Sequence, residues 1–224
     1  MLEGAKYIKK LFDDDESKAF IIQGDNGIGK TSYANRLISE VYSEDGINGN
    51  WDVSLFKNHI GFHPKHVLDI WIAKQERDYV FHWDDAGLWL HSLDFQDPFV
   101  KETGKYMQVV RTDWACVIFS AISKEDISSK IRGLRNAIII DITKDGWSKK
   151  QPNIRTARAY IERKTWKNRP WKDYQWEERF DSHVPDNFYK WYKPLRDKYS
   201  DLAKARMRKK ADEHPDFKDE NVQF

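Results

Sequence analysis

The chain has one cysteine in 224 residues, Cys116, which excludes a disulfide framework and a multi-cysteine zinc site. It has no long apolar run, and its mean hydropathy is −0.81, so no membrane span and no membrane partner are expected. The first twenty residues, MLEGAKYIKKLFDDDESKAF, contain no apolar stretch of the kind a secretory signal needs. A surplus of one charge is missing too. The 38 Lys and Arg stand against 36 Asp and Glu, a formal net charge of +2, which excludes a uniformly basic nucleic-acid protein. Neither an internal repeat nor a low-complexity linker divides the chain. These absences together lead to the expectation of a cytoplasmic protein (host cytoplasm, if the protein is viral). What the chain has in quantity is aromatic side chains, 14% of residues with ten tryptophans, too many for a disordered chain. The length suffices for one sizeable core, or one core with a small appendage.

Apolar segments alternate with segments of helical periodicity. Ala19–Gln23, Ile60–Phe62, Asp78–Trp83, Trp114–Phe119 and Ala137–Ile142 read as strands, nearly all of them apolar. Between them, residues 30–43, 66–75, 92–111 and 124–135 read as helices. Apolar strands alternating with helices predict an α/β fold with a mostly parallel sheet covered on both faces. Beyond Lys144 the pattern changes. Ile154–Arg163 and Tyr174–Phe180 fit an antiparallel hairpin around the turn-like KNRPWKD. Val184–Lys210 reads as helix, with Phe188, Tyr192, Leu195, Tyr199 and Leu202 on one stripe and Pro194 starting a new helix or kinking it. The expected organisation is a core over residues 1–143 and an extension over 144–224 packed on it.

Gly24-Asp25-Asn26-Gly27-Ile28-Gly29-Lys30-Thr31 fits G-x-x-x-x-G-K-[ST] at every fixed position, directly after a strand and opening a helix. Glycines at this spacing let consecutive backbone N–H groups turn inward and form an anion-binding nest. The helix that begins near Lys30, followed by Ser32, adds its positive dipole end. Lys30 is expected to reach the β- and γ-phosphates of ATP, and the Thr31 hydroxyl to ligate Mg²⁺.

Asp84 and Asp85 end the apolar strand YVFHW. A nucleotide-bound Mg²⁺ needs a carboxylate, directly or through water, and Asp84 is assigned to it. A second carboxylate one residue later points elsewhere, so Asp85 is assigned to the attacking water. His82 is given no role.

Between Lys30 and Asp84 there is room for one further strand and helix. The P-loop and the DDAG run together resemble the additional-strand division of P-loop ATPases, which includes AAA+ and RecA-like proteins. The style of the motifs is similar to the replication-initiator and helicase-loader branch. The resemblance covers about Ala19–Thr143 and implies a three-layer P-loop fold. It also implies a polar residue sensing the γ-phosphate after the next core strand, Ser120, and an arginine finger reaching a neighbouring subunit, Arg132 or Arg135. A homo-oligomer follows from such a finger, with a hexameric ring as one form. The chain departs from the family in having Asp85 where glutamate is commoner, and in lacking a recognisable helical lid.

The charge is uneven along the chain. Residues 144–179 hold eleven Lys and Arg against five Asp and Glu, a local surplus of six that leaves the remainder at −4. The same segment carries Trp147, Tyr160, Trp166, Trp171, Tyr174 and Trp176. Cations neutralise phosphates and flat rings stack on unpaired bases. Arg155, Arg158, Arg163, Lys164, Lys167, Arg169 and Lys172 are therefore the candidates for a nucleic-acid surface. The alternative is a solvated hairpin whose tryptophans pack onto the sheet.

The sequence thus leads to the expectation of an Mg²⁺-dependent ATPase acting on DNA, in replication, helicase loading, translocation or packaging, of a virus or plasmid. Two other classes stay open: a P-loop phosphotransferase, and a nucleotide-gated protein-binding switch with weak hydrolysis.

Overall fold

Every residue of Trp114–Ser120 is buried, as are Ala19–Ile22, and strands with no exposed face need cover on both sides. The computed structural model, which describes residues 1–43, 51–134, 137–144, 151–164, 166–167 and 169–213, provides that cover. The strands are β1 (Lys18–Gln23), β2 (Ile60–Gly61), β3 (Asp78–Trp83), β4 (Trp114–Ser120), β5 (Ile138–Thr143), β6 (Ile154–Lys164) and β7 (Pro170–Asp181). They form one sheet in the order β2-β3-β4-β1-β5-β6-β7. The first five are mutually parallel, and β6 and β7 are antiparallel additions at one edge.

The helices are α1 (Glu3–Asp13), α2 (Lys30–Tyr42), α3 (Val53–Phe56), α4 (Pro64–Ala73), α5 (Pro98–Tyr106), α6 (Ser129–Arg132) and α7 (Asp186–Glu213). Ala19, Ile21, Phe81, Trp83, Val117, Phe119 and Ile139 share one core with Val67 and Trp71 of α4, Val100 of α5 and Ile131 of α6. Alternate strand residues turn to the opposite face. There Phe20 meets Tyr7 of α1, and the lone Cys116 is buried.

Three elements differ from the sequence expectation. α1 had no counterpart in it, although Ala5, Ile8 and Leu11 make a buried stripe at helical spacing. The segments expected as helices at 92–111 and 124–135 are broken over their described residues, 92–111 and 124–134. In the first, Asp97 caps Phe99 N and Pro98 takes the first helical position, so α5 can begin only there. In the second, buried Ile127 makes an extended bridge to His91, which leaves one short turn on each side. The hairpin also belongs to the sheet, since β6 pairs with β5 from Ile138↔Ile161 to Thr143↔Thr156. One compact unit runs Met1–Pro185.

The second unit, Asp186–Phe224, is described as far as Glu213 and is the helix α7. It runs as one helix with Pro194 inside it. Of the apolar stripe, Phe188 and Tyr192 are buried and stacked 5.4 Å apart, and Leu202 is exposed. Among the described residues no helix is long and apolar enough to cross a membrane.

Candidate phosphate-binding site

The parallel register sets Ile22 beside Ser120 and Trp83 beside Phe119, so β1, β3 and β4 end at one edge of the sheet. Ligands of open α/β sheets bind outside such carboxyl ends. Here β1 leads into the glycine loop, β3 into Asp84 and Asp85, and β4 ends on Ser120.

Gly24 takes φ 146°, and a Cβ there would stand 2.8 Å from the Ile142 carbonyl oxygen, so a side chain is excluded on two grounds. Gly29, at φ 110°, caps α2 without any side-chain acceptor, which leaves the first N–H groups of the helix without a side-chain cap. Lys30 folds back across the loop, and its Nζ donates to Gly24 O at 2.6 Å and Asp25 O at 2.9 Å. Asp25, Asn26 and Gly27 are exposed at the tip, whereas Ile28 and Ser32 are buried.

Asp84 is fully buried, and a buried carboxylate needs compensating donors. Its Oδ1 accepts from Thr31 Oγ1 at 2.9 Å, from Ser120 Oγ at 2.7 Å and from the Asp85 N–H at 3.1 Å. The Asp85 N–H also reaches Ser120 Oγ at 3.0 Å. Asp85 itself is exposed and holds φ 50°, a left-handed conformation uncommon for a residue with a side chain. The backbone turn therefore separates the two carboxylates, one facing inward and one outward. Thr31 and Asp84 offer a hydroxyl and a carboxylate within contact of each other. These are hard oxygen donors that suit Mg²⁺, which takes one or two protein ligands and otherwise phosphate and water.

Beneath them lie two residues to which the sequence analysis gave no role. His82 Nδ1 stands 3.0 Å from Asn35 Oδ1 of α2, and Nε2 stands 3.3 Å from Ser120 Oγ and 3.5 Å from Asp84 Oδ1. Burial pushes the His82 imidazole below its ordinary value, and the Asp84 charge opposes that shift. The signal that could have found His82 is its spacing, two residues before Asp84 and so on the same face of β3.

No protein-family model matches the chain, and no solved structure matches it. The uncharacterized protein B-251 of Sulfolobus spindle-shape virus 1 is 31% identical over 132 residues. The match covers 56% of this chain and 51% of that protein, so the chain spans about half the length of this curated relative.

The candidate nucleic-acid residues are divided by the structure. Arg158 pairs with Glu177 at 2.6 Å and Arg163 with Asp173 at 2.7 Å, both between β6 and β7, and Lys172 of β7 reaches over β6 to Asp141 of β5 at 3.4 Å. Lys164, Lys167 and Arg169 are exposed near the hairpin turn. Arg155 does not belong to that surface: it is buried and turned toward the glycine loop. The aromatics divide too. Trp176 packs on Tyr7 at 5.2 Å and Phe20 at 5.9 Å, and Tyr160 is buried. Trp166 is 89% exposed, and Trp171 and Tyr174 are exposed as well. Trp147 and Arg135 lie outside the described residues. Arg132 stands 3.9 Å from Glu125, and its buried Nε has no hydrogen-bond partner among the described residues.

Proposed function

We propose that this chain is a P-loop ATPase that binds ATP with Mg²⁺ and hydrolyses it. The observation that carries this reading is the contact of Thr31, Ser120 and the Asp85 N–H with one oxygen of Asp84, immediately beside the glycine loop. The strand order supports it as well, since β4 is inserted between the strand of the loop and the strand of the acids. An inserted strand at this place is what the resemblance implies.

The loop amides and the α2 N-terminus bind the phosphates, and Lys30 exchanges two loop carbonyls for phosphate oxygens. Thr31 and Asp84 would hold Mg²⁺, which when bound neutralises charge on the β- and γ-phosphates. Asp85 orients a water and accepts its proton as the water oxygen bonds to the γ-phosphorus. The bond from that phosphorus to the bridging oxygen breaks, and ADP and phosphate leave. Ser120 acts through Asp84 and is a positioning residue, because its hydroxyl is fully buried and donated to that carboxylate.

Coupling to nucleic acid belongs to the same proposal. The support is the basic segment and, within it, the hairpin turn, where Trp166 stands almost fully exposed between Lys164, Lys167 and Arg169. A relative encoded by a virus supports a viral setting for that work. The test is phosphate release from ATP, alone and with single- or double-stranded DNA. The proposal expects stimulation by DNA that vanishes in Lys30→Ala and Asp85→Ala. Acceptor-dependent ADP formation without free phosphate would establish a phosphotransferase instead.

A further inference from the structure

Arg155 stands apart from the other cations of the hairpin. It is the second residue of β6 and only 8% exposed. Its guanidinium donates from Nε to Ile28 O at 3.0 Å, and from Nη1 to Ile154 O at 2.9 Å and to Pro152 O. Its partners among the described residues are carbonyl oxygens, and none is a carboxylate. A guanidinium stays charged at any physiological pH, and burying it against dipoles alone is costly. The place where this cost is tolerated is the back of a loop built to receive anions.

The bonded oxygen explains more than the charge. Ile28 O belongs to the Ile28–Gly29 peptide, and among the described residues no peptide bond is cis. In a planar trans peptide the C=O and N–H point in opposite directions. Holding Ile28 O on Arg155 therefore turns the Gly29 N–H away from the hairpin. Gly29 itself offers no resistance to rotation of that peptide, because it lacks a Cβ. The restraint comes from outside. Besides Arg155, the base of the hairpin closes this side: a Cβ on Gly29 would meet Ser182 Cβ at 3.0 Å and Phe180 Cζ at 3.7 Å.

We propose that Arg155 is a positioning residue of the phosphate loop. It fixes the Ile28–Gly29 peptide so that the Gly29 N–H is offered to a bound polyphosphate, and it places a buried positive charge behind that peptide. The ligand class is a nucleoside di- or triphosphate, so the inference rests on the nucleotide-binding reading above. It also makes the antiparallel hairpin a wall of the nucleotide site.

The test uses the full chain and two readouts. Calorimetric titration with ADP and Mg²⁺ compares wild type, Arg155→Met, Arg155→Lys and Lys30→Ala. Arg155→Met is expected to weaken ADP by about tenfold or more, the usual scale for a lost charge-assisted hydrogen bond, and Arg155→Lys by less. KM for ATP rises with it, whereas kcat changes little, because the contact serves ground state and transition state alike. The second readout is hydrogen–deuterium exchange of residues 24–31 without ligand, which is expected to quicken in Arg155→Met and to be unmoved by Arg158→Met.

A folded Arg155→Met with wild-type ADP affinity, or with unchanged exchange in the loop, overturns the role of Arg155. Should Arg155→Met lose its melting transition, Arg155→Lys decides in the same way. It keeps the charge but cannot present the planar Nε–H, so unchanged affinity and exchange overturn the proposal. Failure of wild type itself to bind ADP overturns the nucleotide reading, and is distinguished by being common to every variant.

Discussion

Thr31 Oγ1 donates to Asp84 Oδ1 across 2.9 Å, although 53 residues separate the two in the chain. Thr31 lies in the first turn of α2 behind the glycine loop, Asp84 directly follows β3, and the inserted β4 supplies Ser120 to the same oxygen. Breaking the pair should act on the metal before it acts on the nucleotide. Thr31→Ala is expected to raise the Mg²⁺ concentration for half-maximal phosphate release by about tenfold, with ADP affinity in excess Mg²⁺ changed much less. A Mg²⁺ titration of steady-state turnover reads this directly, and an unchanged midpoint would remove Thr31 from the metal.

Ser120 separates two roles. A sensor of the γ-phosphate would lower kcat at any Mg²⁺ concentration. A residue that positions Asp84 would shift the Mg²⁺ midpoint, as Thr31→Ala does, and its effect would not add fully to that of Thr31→Ala. The second outcome is expected for Ser120→Ala, measured in a double-mutant cycle with Thr31→Ala. Full additivity together with an unchanged midpoint would restore the sensor.

The hairpin makes a prediction about salt. Lys164→Ala and Lys167→Ala are each expected to reduce the slope of log affinity for single-stranded DNA against log salt by about 0.7. Trp166→Ala is expected to weaken binding by about 1–3 kcal/mol through lost stacking, with little change in slope. Arg158→Ala and Arg163→Ala should do neither, because Glu177 and Asp173 already occupy those cations. Fluorescence anisotropy over a salt series checks all five variants. Slopes that respond to Arg158 but not to Lys164 would move the contact from the turn to the face of the hairpin.

Much of this site was legible because its chemistry is local in sequence. Glycine spacing, Lys30 and Thr31 lie within eight residues, and two acids after an apolar strand need no knowledge of their neighbours. Arg155 was not legible for the opposite reason. In IRTARAYIERK every charged residue looks solvent-facing, and only the pairing of β6 with β5 brings one face of the strand against the loop. His82 carried one sequence signal, its place two residues before Asp84, but its partners Asn35 and Ser120 come from other elements and are visible only in the fold. The helix α1 was hidden by its polar majority, since its buried apolar residues are only Ala5, Ile8 and Leu11.

Acid should unfold the protein partly through Asp78. Its carboxyl accepts from His59 Nε2 at 3.1 Å and from Lys74 Nζ and Tyr42 Oη. Burial pushes this carboxyl up, and these three donors together with the Tyr79 N–H at 2.8 Å more than reverse that, holding it well below the usual carboxylate range. A group whose folded value lies below its unfolded one contributes stability that is present above about pH 4 and lost as pH falls. Melting followed from pH 6 to pH 3 should therefore drop further in wild type than in Asp78→Asn, which starts lower. Parallel curves would mean that Asp78 does not carry the acid sensitivity.

The central claim is that the loop and the two acids form an ATP-hydrolysing site, and paired turnover assays test it most directly. Phosphate release from ATP is measured for wild type and Lys30→Ala, each with Mg²⁺ and with a chelator. Release by wild type is expected with Mg²⁺ only, falling by about 100-fold or more in Lys30→Ala. Wild-type release that equals the Lys30→Ala rate, or that persists without divalent metal, would contradict it.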